Sequence, residues 1–464
     1  MPDTILPAGV FDVNYVTEVI MVGGWVLDKA IDPSKIERAW KQLISAWPLL
    51  VSRLRKDPQT KQWQFHIPSE PSLSGSFSSL HLPGSLRSHY PYPATTETLS
   101  CNAPVESPTQ IFYPFAPKSV NELLTSDRPV VYLHVTTFDD GSVIGLTTPH
   151  ILSDAIGYMS IIKALCSVLA TGQSPPALDY TDPFVNFVPK QNENVPVPPN
   201  WRILTTLGGL MLLLLSIWEA MFRVVWENRD VYFPRSEVMR IKEEAMEDIR
   251  NRYGASTDRY VSSSDAILAF MLKGIHVSAR SNAPFNLLYT ATMQSLFRKP
   301  RLPYLRNTTL LIVTPTLPLS AIPRLPLGEL ALHIRDTIQA QMKRESIEPW
   351  LRWQLANADK PKVFFNPWWG KYNLATNILA LKGMHLDFSR ALPDDNPPPG
   401  EAAGGNSRQV RCVWGARFEG MEPGGSRNTM GLLRDDETGG IWGYAHLPKA
   451  VWQDKRGFGR YLRD

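Results

Sequence analysis

The chain has 464 residues, 43% of them hydrophobic and 20% charged, with a formal net charge of +4. That composition supports a folded core divided over two or three domains and excludes a disordered chain. Lysine and arginine are scattered rather than clustered, which argues against nucleic acid as a partner. The three cysteines, Cys101, Cys166 and Cys412, lie far apart with no metal or redox spacing. They fit a reducing, cytoplasmic setting without a disulfide framework. Met1 to Pro7 lacks the basic start and apolar run of a signal peptide.

In chain order, Met21 to Leu27 reads as a strand, and Asp32-Pro33-Ser34 opens a helix whose apolar side is Ile36, Trp40, Leu43, Ile44 and Trp47. Gln62 to Ile67 reads as a strand, and Pro68 to Pro108, rich in Ser and Pro, as a long surface excursion. Val130 to Phe138 and Val143 to Thr148 flank the hairpin turn Asp139-Asp-Gly-Ser142. Next comes Thr148-Pro-His150-Ile-Leu-Ser-Asp154-Ala-Ile-Gly157, then a helix with Tyr158, Ile161, Ile162, Leu165, Val168 and Leu169 at helical spacing, closed by Gly172. The polar, proline-rich run Pro189 to Pro199 is the clearest linker. It suggests an N-terminal domain over residues 1–188, a linker and apolar crossover over 189–230, and a C-terminal domain over 231–464.

Ile203 to Trp218 carries no charge, yet its sixteen residues fall short of the roughly 20 that span a bilayer. It is either a helix covering a groove or a membrane-surface helix, with residues 203–222 then making peripheral contact. Beyond it, Ser262-Ser-Ser-Asp265 caps a helix to His276, Leu287 to Thr292 and Thr308 to Thr314 read as strands, and Pro326 opens a helix to about Arg344. Asn373 to Leu381, Met384 to Phe388, Val410 to Phe418, Thr429 to Leu433 and Ile441 to His446 are strand-like. Irregular alternation of strands and helices in both halves predicts an α/β fold with mixed sheets rather than a barrel.

His150 is the chemical focus. A neutral imidazole at a strand-to-helix corner suits general-base work on a hydroxyl, amine or thiol. The spacing alone also fits a loop histidine followed by an ordinary aspartate N-cap. His134 and His150 with the nearby carboxylates lack the spacing of metal ligands, so no metal is expected.

Taken together, these stretches resemble the BAHD acyltransferase superfamily, in its fungal secondary-metabolite branch. His150-Ile-Leu-Ser-Asp154-Ala155 matches the H-x-x-x-D-[GA] core. Trp47-Pro48-Leu49-Leu50-Val-Ser-Arg53-Leu54 is similar to W-P-x-L-x-x-R-L, and Ser262 to Ala269 to the S-x-x-D-x-L-x-A helix start. Leu302 to Asn307 resembles L-P-x-x-Y-x-G-N, with Arg306 where glycine is usual, while Asp387-Phe388 keeps only two residues of D-F-G-W-G.

The resemblance implies two chloramphenicol-acetyltransferase-like domains, with mixed sheets and flanking helices, meeting at an active-site channel. It implies acyl-CoA, acetyl-CoA first, as co-substrate, no permanently bound cofactor, and a small-molecule acceptor. The expected reaction is O-acyl transfer to a lipophilic secondary metabolite such as a terpenoid or polyketide, by a monomer. His150 would be the base. Asp154 would be structural support, paired with a second-domain arginine for which Arg298 is nearest. Thr376 and Asn307 are candidate oxyanion donors, and Lys299, Arg301 and Arg306 candidate partners of the CoA phosphates. The alternatives on the same scaffold are carrier-protein-dependent condensation, in whose doubled-histidine motif Pro149 replaces the first histidine, and a cyclisation or binding protein.

Overall fold

The computed structural model describes residues 3–13, 17–103, 109–117, 119–190, 193–199, 201–221, 224–297, 302–358, 360, 362–363, 370–394, 409–420 and 427–463. Strands organise it into two main sheets. A five-stranded sheet runs in the order Cys412–Gly420, Ile20–Leu27, Ser142–Pro149, Tyr132–Thr137, Phe77–His81. A nine-stranded sheet has as its centre Pro284–Thr292, Lys371–Asn377, Thr429–Asp435, Ile441–Pro448 and Trp226–Phe233. Both mix parallel and antiparallel pairs, as expected for this α/β architecture: Phe77–His81 lies parallel to Tyr132–Thr137, and Lys371–Asn377 is parallel to both its neighbours.

Helices form where the sequence punctuates them. Asp32 caps the Pro33–Ala46 helix by accepting from Ser34 N at 2.8 Å, and its Ile36, Trp40, Leu43 and Ile44 are buried. Trp47, at the end of that helix, donates from Nε1 to Pro176 O at 2.8 Å. A reciprocal capping box, Ser262 with Asp265, opens the Ser263–Ile275 helix, and Arg335 pairs with the same carboxylate at 2.9 Å. The Ala155–Thr171 helix ends at Gly172, whose φ of +67° is the left-handed cap that glycine adopts without strain.

Three sequence expectations need correction. The surface excursion at 68–108 contributes Phe77–His81 to the N-terminal sheet and Ser100–Asn102 to the C-terminal sheet, where it pairs with Trp226–Phe233. Both strands are short, and such pieces carry too little periodicity to read. The contiguous halves 1–188 and 231–464 therefore exchange strands, because Cys412–Gly420 pairs with Ile20–Leu27. Met384 to Phe388 is a loop rather than a strand, and Phe388 is fully buried in the N-terminal core. The adjoining turn ties the halves further: Asp32 N donates to Ala391 O at 2.7 Å, and Lys35 Nζ to Leu392 O at 2.6 Å.

The apolar crossover forms the Thr206–Met221 helix, and much of its described apolar surface faces outward. Leu207, Leu210, Leu213, Leu214 and Ile217 are all exposed, Leu207 to 70%. No helix among the described residues is long and apolar enough to cross a membrane.

Candidate active site

The hairpin Tyr132–Thr137/Ser142–Pro149 delivers His150 to the corner, and its amide N–H donates to Val19 O at 2.8 Å. Nδ1 of the ring is enclosed and has no well-formed hydrogen bond, whereas the residue as a whole keeps partial exposure. Burial lowers the imidazole pKa below its usual value; its own backbone, the Asp154 charge and the Asn307 carboxamide oppose that fall. His150 is consequently neutral at physiological pH, the state a base requires. His134, by contrast, is a satisfied core histidine, held by Ser78 at 2.6 Å and Thr136 at 2.9 Å and lowered by burial to about 4.

Asp154 is both an N-cap and a bridge between the halves. Its Oδ1 accepts from Ile156 N at 3.0 Å and Gly157 N at 3.2 Å. Its Oδ2 accepts from Thr308 N at 3.0 Å, Thr308 Oγ1 at 3.2 Å and Thr309 Oγ1 at 3.1 Å. The carboxylate is 3% exposed and turned into the protein. Threonines from the second half hold this carboxylate, and Arg298, the arginine expected to pair with it, lies outside the described residues.

Asn307 is brought to the corner, though not in the role expected. Its Nδ2 donates to His150 O at 2.9 Å, Ile151 O at 3.4 Å and Asp12 Oδ1 at 3.2 Å. With its amide hydrogens engaged by these oxygens, Asn307 holds the corner instead of presenting a donor to an oxyanion. Arg306 is corrected more sharply. It is buried, pairs with Asp12 through Nη2 at 2.7 Å and Nε at 2.8 Å, and donates to Pro7 O at 3.2 Å. A guanidinium buried and paired in this way is committed to Asp12 rather than turned out toward a CoA phosphate. Lys299 and Arg301 lie outside the described residues.

Thr376 stands in the central strand Lys371–Asn377 and accepts a hydrogen bond from Thr290 Oγ1 at 3.2 Å, so its own hydroxyl hydrogen remains to donate elsewhere. Ile378, two residues on, lines an apolar cavity with Trp25, Tyr158, Met159 and Leu433. Sequence reading missed Asp12, Thr308 and Thr309. Asp12 had a signal, since a lone carboxylate within Val10-Phe11-Asp12-Val13 is out of place unless paired.

Gly157 explains the close approach of the two halves. A Cβ there would lie 2.0 Å from Leu305 O and 2.8 Å from Leu305 C, both backbone atoms. Gly157→Ala is expected to push the 302–308 loop off the corner and cost about 1–3 kcal/mol of stability. Activity should fall with it; calorimetry beside a turnover assay checks both.

No family model matches the chain. Whole-length relatives do. Acetyltransferase MATC1 of Mycosarcoma maydis is 25% identical over 99% of this chain and 97% of its own. Among solved structures, TRI101 of F. sporotrichioides, complexed with coenzyme A and T-2, superposes with a TM-score of 0.65 at 14% identity, covering 99% of each chain. Vinorine synthase does so with a TM-score of 0.59 at 11% identity, over 96% of this chain and 90% of its own. The chain thus shares its fold with TRI101 and vinorine synthase and is similar over its whole length to fungal acetyltransferases and O-acyltransferases. Among the relatives names vary: calD of Penicillium decumbens, 24% identical over 97% of this chain and 94% of its own, is called a transcriptional regulator. The chemistry of the present acyltransferase therefore has to be argued from its own corner.

Proposed function

We propose that this acyltransferase moves an acyl group, acetyl first, from acyl-CoA to a hydroxyl of a lipophilic secondary metabolite such as a terpenoid or polyketide, with His150 as general base. The observation that carries the reading is the His150 imidazole, enclosed at Nδ1, its pKa held down by burial, at a corner fixed to the second half through Asp154 and Asn307. Nε2 takes the proton from the acceptor O–H as its oxygen bonds to the thioester carbonyl carbon. The tetrahedral intermediate then collapses, the C–S bond breaks, and the same nitrogen returns the proton to the CoA sulfur.

Thr376, with its hydroxyl hydrogen uncommitted, is the donor proposed for the oxyanion, a contribution of about 3 kcal/mol in comparable sites. No acyl-enzyme is required, and the thiols are unsuited to one: burial pushes Cys101, Cys166 and Cys412 each up to about 12. These free thiols fit a reducing, cytoplasmic location. Lys299 and Arg301 are retained as phosphate partners, Arg306 is not, and the working unit is a monomer. Incubation with labelled acetyl-CoA and a panel of hydroxylated terpenoids and polyketides, read by mass spectrometry, tests this reading. Silence with every acceptor and with longer acyl-CoAs would sink it.

The exposed leucines of the Thr206–Met221 helix favour peripheral contact with a bilayer, from which lipophilic acceptors are drawn. Flotation with phospholipid vesicles checks this: the wild type should float, and Leu210→Gln/Leu214→Gln should stay in the dense fraction. Equal partitioning of the two proteins would refute the contact.

A further inference from the structure

We propose that Thr290 is a positioning residue for the transfer step: its hydroxyl holds the hydroxyl of Thr376 so that the Thr376 hydrogen is turned to the oxyanion. The inference rests on the reading of Thr376 as the oxyanion donor and deepens it by one residue on the neighbouring strand.

The hydrogen bond between the two threonines has a direction. Thr290 Oγ1 donates to Thr376 Oγ1 at 3.2 Å, with Ala375 O at 3.4 Å as a second acceptor. A hydroxyl carries one hydrogen and two lone pairs, so Thr290 takes up a lone pair of Thr376 and leaves its hydrogen to the site. The other flank of Thr376 is the strand Thr429–Asp435, where Gly431 stands opposite it. The place of a side chain at 431 is filled by an edge of the Tyr444 ring, whose Cε1 lies 2.5 Å from where a Cβ would be. Among the described residues the side chain that holds the Thr376 hydroxyl is therefore Thr290.

The strand Pro284–Thr292 reaches the His150 corner as well. Thr292, two residues beyond Thr290 and on the same face, shares a hydrogen bond with Thr308 Oγ1 at 3.0 Å. Thr308 Oγ1 gives its hydrogen to Asp154 Oδ2 at 3.2 Å, so Thr292 is the donor between them; it accepts in turn from Gln294 N at 3.1 Å. Thr309, paired across from Thr292, also donates to Asp154, which shows that this face is the one turned to the first half. Two hydroxyls about 7 Å apart on one strand thus end on different parts of the site, one on Thr376 and one on the carboxylate behind His150. Without the Thr290 hydroxyl the Thr376 rotor is released among its staggered positions. The donor must then be ordered during the reaction, which slows the chemical step and leaves donor binding unchanged.

The test compares hydroxyls on the same strand face. Wild type and variants are given isotope-labelled acetyl-CoA at saturation with a fixed amount of lipophilic fungal metabolite extract, and initial rates of ester formation are read by mass spectrometry. Thr376→Val should lose about 10²-fold, and Thr290→Val about tenfold. In Thr290→Val the KM for acetyl-CoA should stay within about twofold and the melting temperature should not move. Thr290→Ser should recover the rate, and Thr290→Val/Thr376→Val should be no slower than Thr376→Val alone. Thr292→Val, the same chemical change two residues away, should instead lower the melting temperature. A wild-type rate in Thr290→Val, a melting temperature lowered as in Thr292→Val, no recovery with serine, or multiplied losses in the double variant overturns the proposal. A wild-type rate in Thr376→Val is a different failure, since it removes the oxyanion assignment itself and is read from that variant alone.

Discussion

His150→Ala is expected to lower acyl transfer by roughly 10²–10⁴-fold, the range that a positioned proton acceptor contributes, and to leave the fold in place. The corner does not depend on the ring. The backbone N–H of residue 150 bonds to Val19 O, its carbonyl accepts from Asn307, and the helix behind it is capped by Asp154. Circular dichroism and melting temperature should match the wild type while turnover collapses. The pH profile follows from the same geometry. Because burial holds the His150 pKa below its ordinary value of 6.5, kcat/KM for the wild type should stay flat through neutrality and fall only at lower pH. The stability linkage has the opposite sense to that of a histidine gaining an anionic partner. Above pH 6.5 the ring is neutral in both folded and unfolded chains and contributes nothing; below it the unfolded chain binds the proton more readily, so stability is lost as pH falls.

Asp154→Asn should act the other way, through the fold first. The substitution replaces one acceptor oxygen by an NH2 group. Whichever way the amide turns, it faces either the Ile156 and Gly157 N–H groups or the Thr308 N–H, and none of these can reverse its polarity. Leaving such buried donors opposed costs about 1–3 kcal/mol, and the 302–308 loop loses its fixed distance from His150. The melting temperature should drop by several degrees, and transfer should fall by tenfold or more. The measurement is a melting curve alongside kcat on the same preparation. An unchanged melting temperature with reduced kcat would show that Asp154 acts on the chemistry rather than through the corner it holds.

What the sequence revealed depended on local signals. The Asp32, Asp154 and Ser262 caps, the Asp139 to Ser142 turn and the Gly172 cap are residue choices dictated by backbone within a few positions, and the fold places each as read. His150 and Asp154 were visible for the same reason. Partners distant in the chain were not. Nothing near Arg306 announces Asp12, 294 positions away, so a buried ion pair read as a basic surface cluster. Asn307 read as an oxyanion donor because its chemistry permits it; only the surrounding carbonyls reveal that its hydrogens are engaged. The exchange of Ser100–Asn102 and Cys412–Gly420 between sheets is likewise a long-range pairing that no local pattern encodes.

The most direct test of the central claim is a paired incubation. Wild type and His150→Ala, shown to be equally folded, are given isotope-labelled acetyl-CoA and a lipophilic fungal metabolite extract, and the products are resolved by mass spectrometry. A labelled ester formed by the wild type and absent with His150→Ala is the expected result, and its mass identifies the acceptor. The same ester formed at comparable rates by both proteins would contradict His150 as the base.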